Sequence, residues 1–271
     1  MRCSLVLSLA AALALAGGCA SKEPAEKSGS APPQAPQPRL ETVKVQEATP
    51  AQRAQIKTDL AAGYYERGQF DVALDVLKEA EQLEPGYPRI YDIYGLVYTM
   101  LGENAKAESS FRRALSLAPN DPDIRANWGA FLCVTGRERE SLAEFEAAFR
   151  DPLYKTPEVA LINAGKCSLG LGERQKADEY FRRALTASPG NPTASYQLAL
   201  LAYRDGRMQE ARAWIRPAVQ PASPRPDALY LGMCIERKIG DRQAELSFVS
   251  QLKNRYPDSP ETRQIDSGDC G

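Results

Sequence analysis

The chain contains no histidine in its 271 residues. That absence removes the commonest general base, the Ser-His and Cys-His nucleophile pairs, and most catalytic zinc sites. There is no G-x-S-x-G, no phosphate-binding P-loop, no H-E-x-x-H and no Cys-x-x-Cys. Carboxylate pairs such as Glu138 with Glu140, or Glu144 with Glu146, fall on the solvated faces of predicted helices, where solubility accounts for them. No charge of one sign dominates: 34 Lys and Arg stand against 35 Asp and Glu. Without that excess there is no strong pull toward nucleic acid or acidic lipid. An enzyme is therefore not expected, and neither are catalytic residues, a metal, a cofactor, a small-molecule substrate or a nucleic-acid partner.

What the sequence does contain is a beat. Gly68, Gly102, Gly136, Gly172, Gly206 and Gly240 are separated by 34, 34, 36, 34 and 34 residues. Five residues after the first five glycines come Ala73, Ala107, Ser141, Ala177 and Ala211, and nine after come Leu77, Phe111, Phe145, Phe181 and Ile215. Twelve after come Ala80, Ala114, Ala148, Ala184 and Ala218, and seventeen after, in three units, Pro85, Pro119 and Pro189. Each unit reads as helix, tight turn, helix, stop. The glycine takes the left-handed backbone of the turn, the alanines let paired helices approach, and the larger residue fills the gap. This pattern resembles tetratricopeptide repeats. It implies an all-α, right-handed superhelical solenoid of about six hairpins, because one hairpin cannot bury its own apolar stripe and must stack on the next. The array is placed at 51–260, with units at about 54–87, 88–121, 122–157, 158–191, 192–225 and 226–260, and a polar tail at 261–271. In the last unit Ala244 and Phe248 come one position early, and Leu252 closes the pattern.

The N-terminus is organised differently. One charge, Arg2, precedes an apolar stretch of about 12 residues from Leu5 to Ala16, which suits a secretory signal and is too short to span a bilayer. It ends in Ala16, Gly17, Gly18 and Cys19, which resembles the lipobox cut by the lipoprotein signal peptidase, with Ala16 where leucine is usual. Residues 1–18 are thus expected to be removed, leaving Cys19 as an acylated first residue. Ordinary secretion, with Cys19 a free thiol, is the alternative. Ala20 in place of aspartate resembles the sorting signal for the outer membrane, and several acyl chains would make anchoring durable. The mature chain would carry 33 basic and 35 acidic residues, since only Arg2 is lost. From Ala20 to Pro50 there are six prolines among polar residues. Residues 19–50 therefore read as a disordered tether reaching about 30 Å.

Four further cysteines, Cys133, Cys167, Cys234 and Cys270, allow three pairings. Cys133 and Cys167 fall near the ends of first helices in neighbouring units, in a compartment expected to be oxidising, so a bridge there would staple two hairpins. The alternative is a pair of buried thiols acting as small hydrophobes. A bridge from Cys234 to Cys270 would have to draw in the polar tail.

Tetratricopeptide arrays generally present their first helices to a groove. Counting nine residues back from each turn glycine gives Asp59, Ile93, Asn127, Asn163, Gln197 and Leu231. Asn127, Asn163 and Gln197 form a candidate ladder, since amides both donate to and accept from an extended peptide. Capping of neighbouring turns is the structural alternative. Tyr65, Leu96, Tyr196, Leu200 and Tyr203 supply apolar and aromatic surface on the same face, part of it hairpin core. The Lys-Asn-Asn-Lys-Arg pattern of carboxylate clamps is missing.

One resemblance is more specific. The runs Asn127-Trp128-Gly129-Ala130-Phe131-Leu132-Cys133, Pro152-Leu153-Tyr154 and Asn163-Ala164-Gly165-Lys166-Cys167, with Gly240-Asp241-Arg242 and Tyr256-Pro257-Asp258-Ser259-Pro260, resemble the outer-membrane lipoproteins of type IV pilus biogenesis and stability. The resemblance implies a periplasm-facing pilotin that binds the pilus secretin and helps it reach the outer membrane and assemble as a multimer. A lipidated scaffold for outer-membrane-protein insertion or peptidoglycan-hydrolase complexes is the alternative.

Overall fold

A computed structural model describes residues 48–265, 267 and 270. The expected signal peptide, Cys19 and nearly all of the tether lie outside the described residues. The described chain is an all-α tetratricopeptide solenoid of six hairpins followed by a short thirteenth helix. The hairpins are α1 (Pro50–Glu66) with α2 (Phe70–Leu83), α3 (Pro88–Met100) with α4 (Asn104–Leu117), and α5 (Pro122–Val134) with α6 (Glu138–Phe149). They continue as α7 (Glu158–Gly170) with α8 (Arg174–Ala187), α9 (Pro192–Arg204) with α10 (Met208–Val219), and α11 (Pro226–Ile239) with α12 (Arg242–Arg255). The last helix is α13 (Pro260–Gln264).

Local chemistry sets where these helices begin and end. Thr49 caps α1 through a reciprocal pair, its hydroxyl accepting from the Gln52 N–H while the Gln52 side chain accepts from the Thr49 N–H. Asp121 and Asn191 cap α5 and α9 through side-chain oxygens that accept from two backbone N–H groups each. Each turn glycine has positive φ, from 72° at Gly68 to 90° at Gly240. The residue after it donates to the carbonyl five residues back, as Arg137 does to Leu132 at 2.8 Å. Gly136→Ala is therefore expected to cost about 1–2 kcal/mol, because a Cβ crowds the carbonyl in this backbone region. A fall of about 2–8 °C in thermal midpoint would report it.

The core is a column of small-against-large contacts. Ala73, Ala107, Ser141, Ala177 and Ala211 are buried, as are Leu77, Phe111, Phe145, Phe181 and Ile215. Facing the phenylalanines on the first helices are glycines that the period alone does not single out. A Cβ placed on Gly95, Gly129, Gly165 or Gly232 would come within 2.6, 3.2, 2.5 or 2.8 Å of the ring of Phe111, Phe145, Phe181 or Phe248. At the equivalent positions of hairpins one and five stand Ala61 and Ala199, sixteen residues before the smaller Leu77 and Ile215. Sixteen residues also separate Gly232 from Phe248, so the sixth hairpin keeps this contact. It is the turn glycine that has moved one residue along.

Four of the five successive pairs of first helices touch: α1 meets α3, α3 meets α5, α5 meets α7, and α9 meets α11. No successive second helices meet to that extent among the described residues. The first helices are thus crowded together and form the inner face of the curve. At the far end, α13 packs on α11 and α12, and Ile265 is buried there. The stretch read from its polarity as a tail starting at 261 therefore includes most of a helix and a core residue. Beyond α12 it is α13 that covers part of the outer side of the last hairpin.

Candidate functional site

The first helices carry exposed apolar side chains at their ends and a fully buried carboxylate. Met100 and Val134, at the ends of α3 and α5, are 59% and 72% exposed. Such side chains gain from a partner that removes them from water, at about 25 cal/mol per Å² of apolar surface. Tyr65 and Leu96 are half-buried and lean on the core of the first hairpins, Tyr65 lying against Phe70 with ring centroids 6.2 Å apart. Tyr196, Leu200 and Tyr203 share one side of α9. They line a cavity of about 470 Å³ together with Tyr230, Leu231 and Cys234 of α11 and with Gln264 and Cys270. The Tyr203 hydroxyl donates to the Cys270 carbonyl at 2.9 Å.

The three amides do not behave alike. Asn127 is half-buried, and its Nδ2 donates to both carboxylate oxygens of Asp92, at 3.1 and 3.0 Å. It ties unit three to unit two, a role distinct from capping a turn. Asn163 and Gln197 are half-buried, with no side-chain hydrogen bond to a described residue. Counting from the glycine puts Leu231 in the sixth unit, but counting eighteen residues back from the packed Phe248, as Asn127 stands to Phe145, gives Tyr230. The early Phe248 was the available signal for that register.

Asp92 escaped sequence reasoning, having no spacing to mark it. Burial pushes its carboxyl up to about 7, against the Asn127 hydrogen bond and the Arg89 charge, which favour the anion. Asp121 and Asp123 raise it further. The Tyr65 hydroxyl is raised by its own burial and then by Asp92. Because the Asp92 pKa is higher folded than unfolded, between about pH 4 and 7 the folded chain holds a proton that the unfolded chain has lost. This group's contribution to stability falls as pH rises through that window and levels off above it. Asp92→Asn is accordingly expected to be more stable than the parent at about pH 8, with the gain shrinking toward pH 5. Urea midpoints at the two pH values measure this.

Two disulfides are present. Cys133–Cys167 joins α5 to α7 with Cα atoms 5.8 Å apart, and Cys234–Cys270 ties the C-terminal segment to α11 with Cα atoms 5.6 Å apart. Among the described residues no three His, Cys, Asp or Glu converge as a metal site. There too, no helix is long and apolar enough to cross a membrane. The chemistry this face offers is adhesion: apolar surface, aromatic rings and oriented hydrogen-bonding groups.

Comparisons with known proteins agree with this geometry. The tetratricopeptide repeat family matches residues 58–122 and 162–226. The type IV pilus assembly protein PilF of Pseudomonas aeruginosa is 27% identical over 206 residues, covering 76% of this chain and 82% of its own length. The crystal structure of PilW, described as a widely conserved type IV pilus biogenesis factor, aligns with a TM-score of 0.70. Its identity is 32%, over 78% of this chain and 97% of that one. The structure of P. aeruginosa PilF aligns with a TM-score of 0.72 at 24% identity, over 81% and 99%, which speaks for the fold alone.

Proposed function

Because this chain belongs to the tetratricopeptide-repeat family of type IV pilus biogenesis proteins, we propose that it is an outer-membrane pilotin that binds the pilus secretin. In this reading the lipid on Cys19 holds the protein on the periplasmic side of the outer membrane. The inner face of the solenoid retains a secretin segment while the channel assembles, and the protein catalyses no reaction. One observation carries the reading: 32% identity to a pilus biogenesis factor along 97% of that protein's chain. The exposed Met100 and Val134, at the ends of the first helices α3 and α5, supply surface for a protein ligand.

The test is a detergent pull-down of the lipidated protein from the cell envelope, with the co-purifying proteins identified. Secretin recovery supports the proposal. Recovery of an insertion complex or a peptidoglycan hydrolase in its place assigns the chain to a different lipidated scaffold. Cys19→Ser is expected to shift the protein out of the membrane fraction and to misplace secretin multimers. Unchanged fractionation of that variant would remove the lipid anchor from the account.

A further inference from the structure

Asp92 sits on α3 and Asn127 on the neighbouring α5, both on first helices. The carboxylate is entirely buried, and Asn127 Nδ2 lies 3.1 and 3.0 Å from its two oxygens. An ionised carboxylate accepts hydrogen bonds and cannot donate them, so it takes the amino end of the amide. The amide group is planar, with oxygen and nitrogen on opposite arms. With the nitrogen fixed toward Asp92, the oxygen of this half-buried side chain is the arm turned away from that carboxylate. The rest of the ladder lacks such control. The residues that stand to Asn163 and Gln197 as Asp92 stands to Asn127 are Ala126 and Ile162, which cannot orient an amide.

We propose that Asp92 is a positioning residue: it holds the Asn127 amide with Oδ1 toward the inner face, so that the junction of units two and three accepts a main-chain N–H of an extended segment and rejects a carboxylate terminus. The inference rests on the inner face being the docking surface for the secretin. The surroundings reinforce the sign of the selection. Asp121 and Asp123 at the start of α5 add negative charge around Asp92. Tyr65 of α1 and Tyr154 of the loop between α6 and α7 are neighbours that carry no charge near neutrality. Arg89 of α3 is the cation that draws Asp92 toward its anion, and its guanidinium is 3.7 Å from Asp59. A carboxylate approaching here meets a carbonyl dipole backed by acids, whereas an N–H donor meets an acceptor.

Protonation reverses the arrangement. A neutral Asp92 donates its own O–H, the Asn127 oxygen can turn inward to receive it, and the amino end then faces the groove. Binding of an N–H donor should therefore weaken as pH falls through neutrality.

Two measurements on the full-length protein in detergent decide the matter. The first is the side-chain amide resonance of Asn127 in asparagine-labelled protein. Contacts from its Nδ2 protons to groups around Asp92 are expected at about pH 8 and lost at about pH 6, and an amide whose oxygen faces Asp92 at the higher pH overturns the proposal. The second is affinity for purified secretin. Losing one neutral hydrogen bond corresponds to about 3- to 10-fold. The parent should bind that much more weakly at about pH 6 than at pH 8, and Asp92→Leu, which leaves no acceptor for the Asn127 amino end, should show the loss at both. Asn127→Ala should lose a similar factor, with no further loss when combined with Asp92→Leu, because the two act as one unit. An Asp92→Leu variant that keeps the parent's pH profile, or losses that add, would overturn the positioning role. Affinity that falls steeply with salt would point to a lysine or arginine side chain and overturn the main-chain assignment. If purified secretin does not bind the parent at all, the secretin reading fails, and the amide resonance still decides the orientation.

Discussion

Phe181→Ala is expected to lower the unfolding free energy by about 3–5 kcal/mol, the range for deleting a fully buried phenylalanine from a core that cannot collapse around the gap. Phe181 has no exposed surface, and its ring presses on the backbone of α7 at Gly165. The converse change probes the same contact. Gly165→Ala gains about 1 kcal/mol of helix propensity, yet its new Cβ would lie 2.5 Å from the Phe181 ring, nearer than real Cβ atoms come. Overpacking of this kind costs about 1–3 kcal/mol, so the net effect should be destabilising. At Gly129 the corresponding gap is 3.2 Å, and Gly129→Ala should be milder or neutral. The chain itself carries the compensated version, Ala61 with Leu77 and Ala199 with Ile215. Gly165→Ala combined with Phe181→Leu should therefore be more stable than Gly165→Ala alone, a coupling that a double-mutant cycle measures in urea. If Gly165→Ala were as stable as the parent, the close approach of α7 to α8 would not control this packing.

That contact also marks how far the sequence could be read. The turn glycines repeat because each must take positive φ, and the alanines and phenylalanines repeat because each hairpin has the same gap to fill. A single repeated constraint writes itself six times, which is why the hairpins and their stacking were legible. Gly95, Gly129 and Gly165 obey the same logic, but a glycine inside a helix reads as a weak helix former until its neighbour is known. Tyr230 was missed because the register of the sixth unit was taken from the turn, which can slide by a residue, and not from the packed pair, which cannot. Asp92 was beyond reach for a different reason. It occurs once, its partner Asn127 is 35 residues away, and neither residue type announces burial. Features built by repetition leave a period, whereas features built by one tertiary contact leave none. Tyr196, Leu200 and Tyr203 fall between these cases: helical spacing put them on one side of α9, but only the return of the C-terminal segment encloses a cavity around them.

The last expectation concerns the two disulfides, which close stretches of similar length and should behave differently. Cys133–Cys167 spans 34 residues, and in the chain-entropy picture constraining a loop of that size is worth about 4 kcal/mol. It crosses the one junction where the period lengthens to 36, beside the loop between α6 and α7. The bridge holds α5 against α7 where the extra residues give the hairpins slack. Cys133→Ser with Cys167→Ser is expected to lower the urea midpoint by about 1–4 M, given a slope of about 1–3 kcal/mol per molar. Cys234–Cys270 spans 36 residues, but its far end lies beyond the last hairpin, after α13. Once cut, the segment after α12 can leave without unfolding any hairpin, so the loss should be local. Cys234→Ser with Cys270→Ser should shift the global midpoint little. Protease cleavage after Tyr256 should instead become faster, as Ile265 and the Tyr203 hydrogen bond to Cys270 lose their anchor. Equal shifts in midpoint for the two double variants would contradict this division, and would mean that the C-terminal segment is as much a part of the cooperative array as the hairpins are.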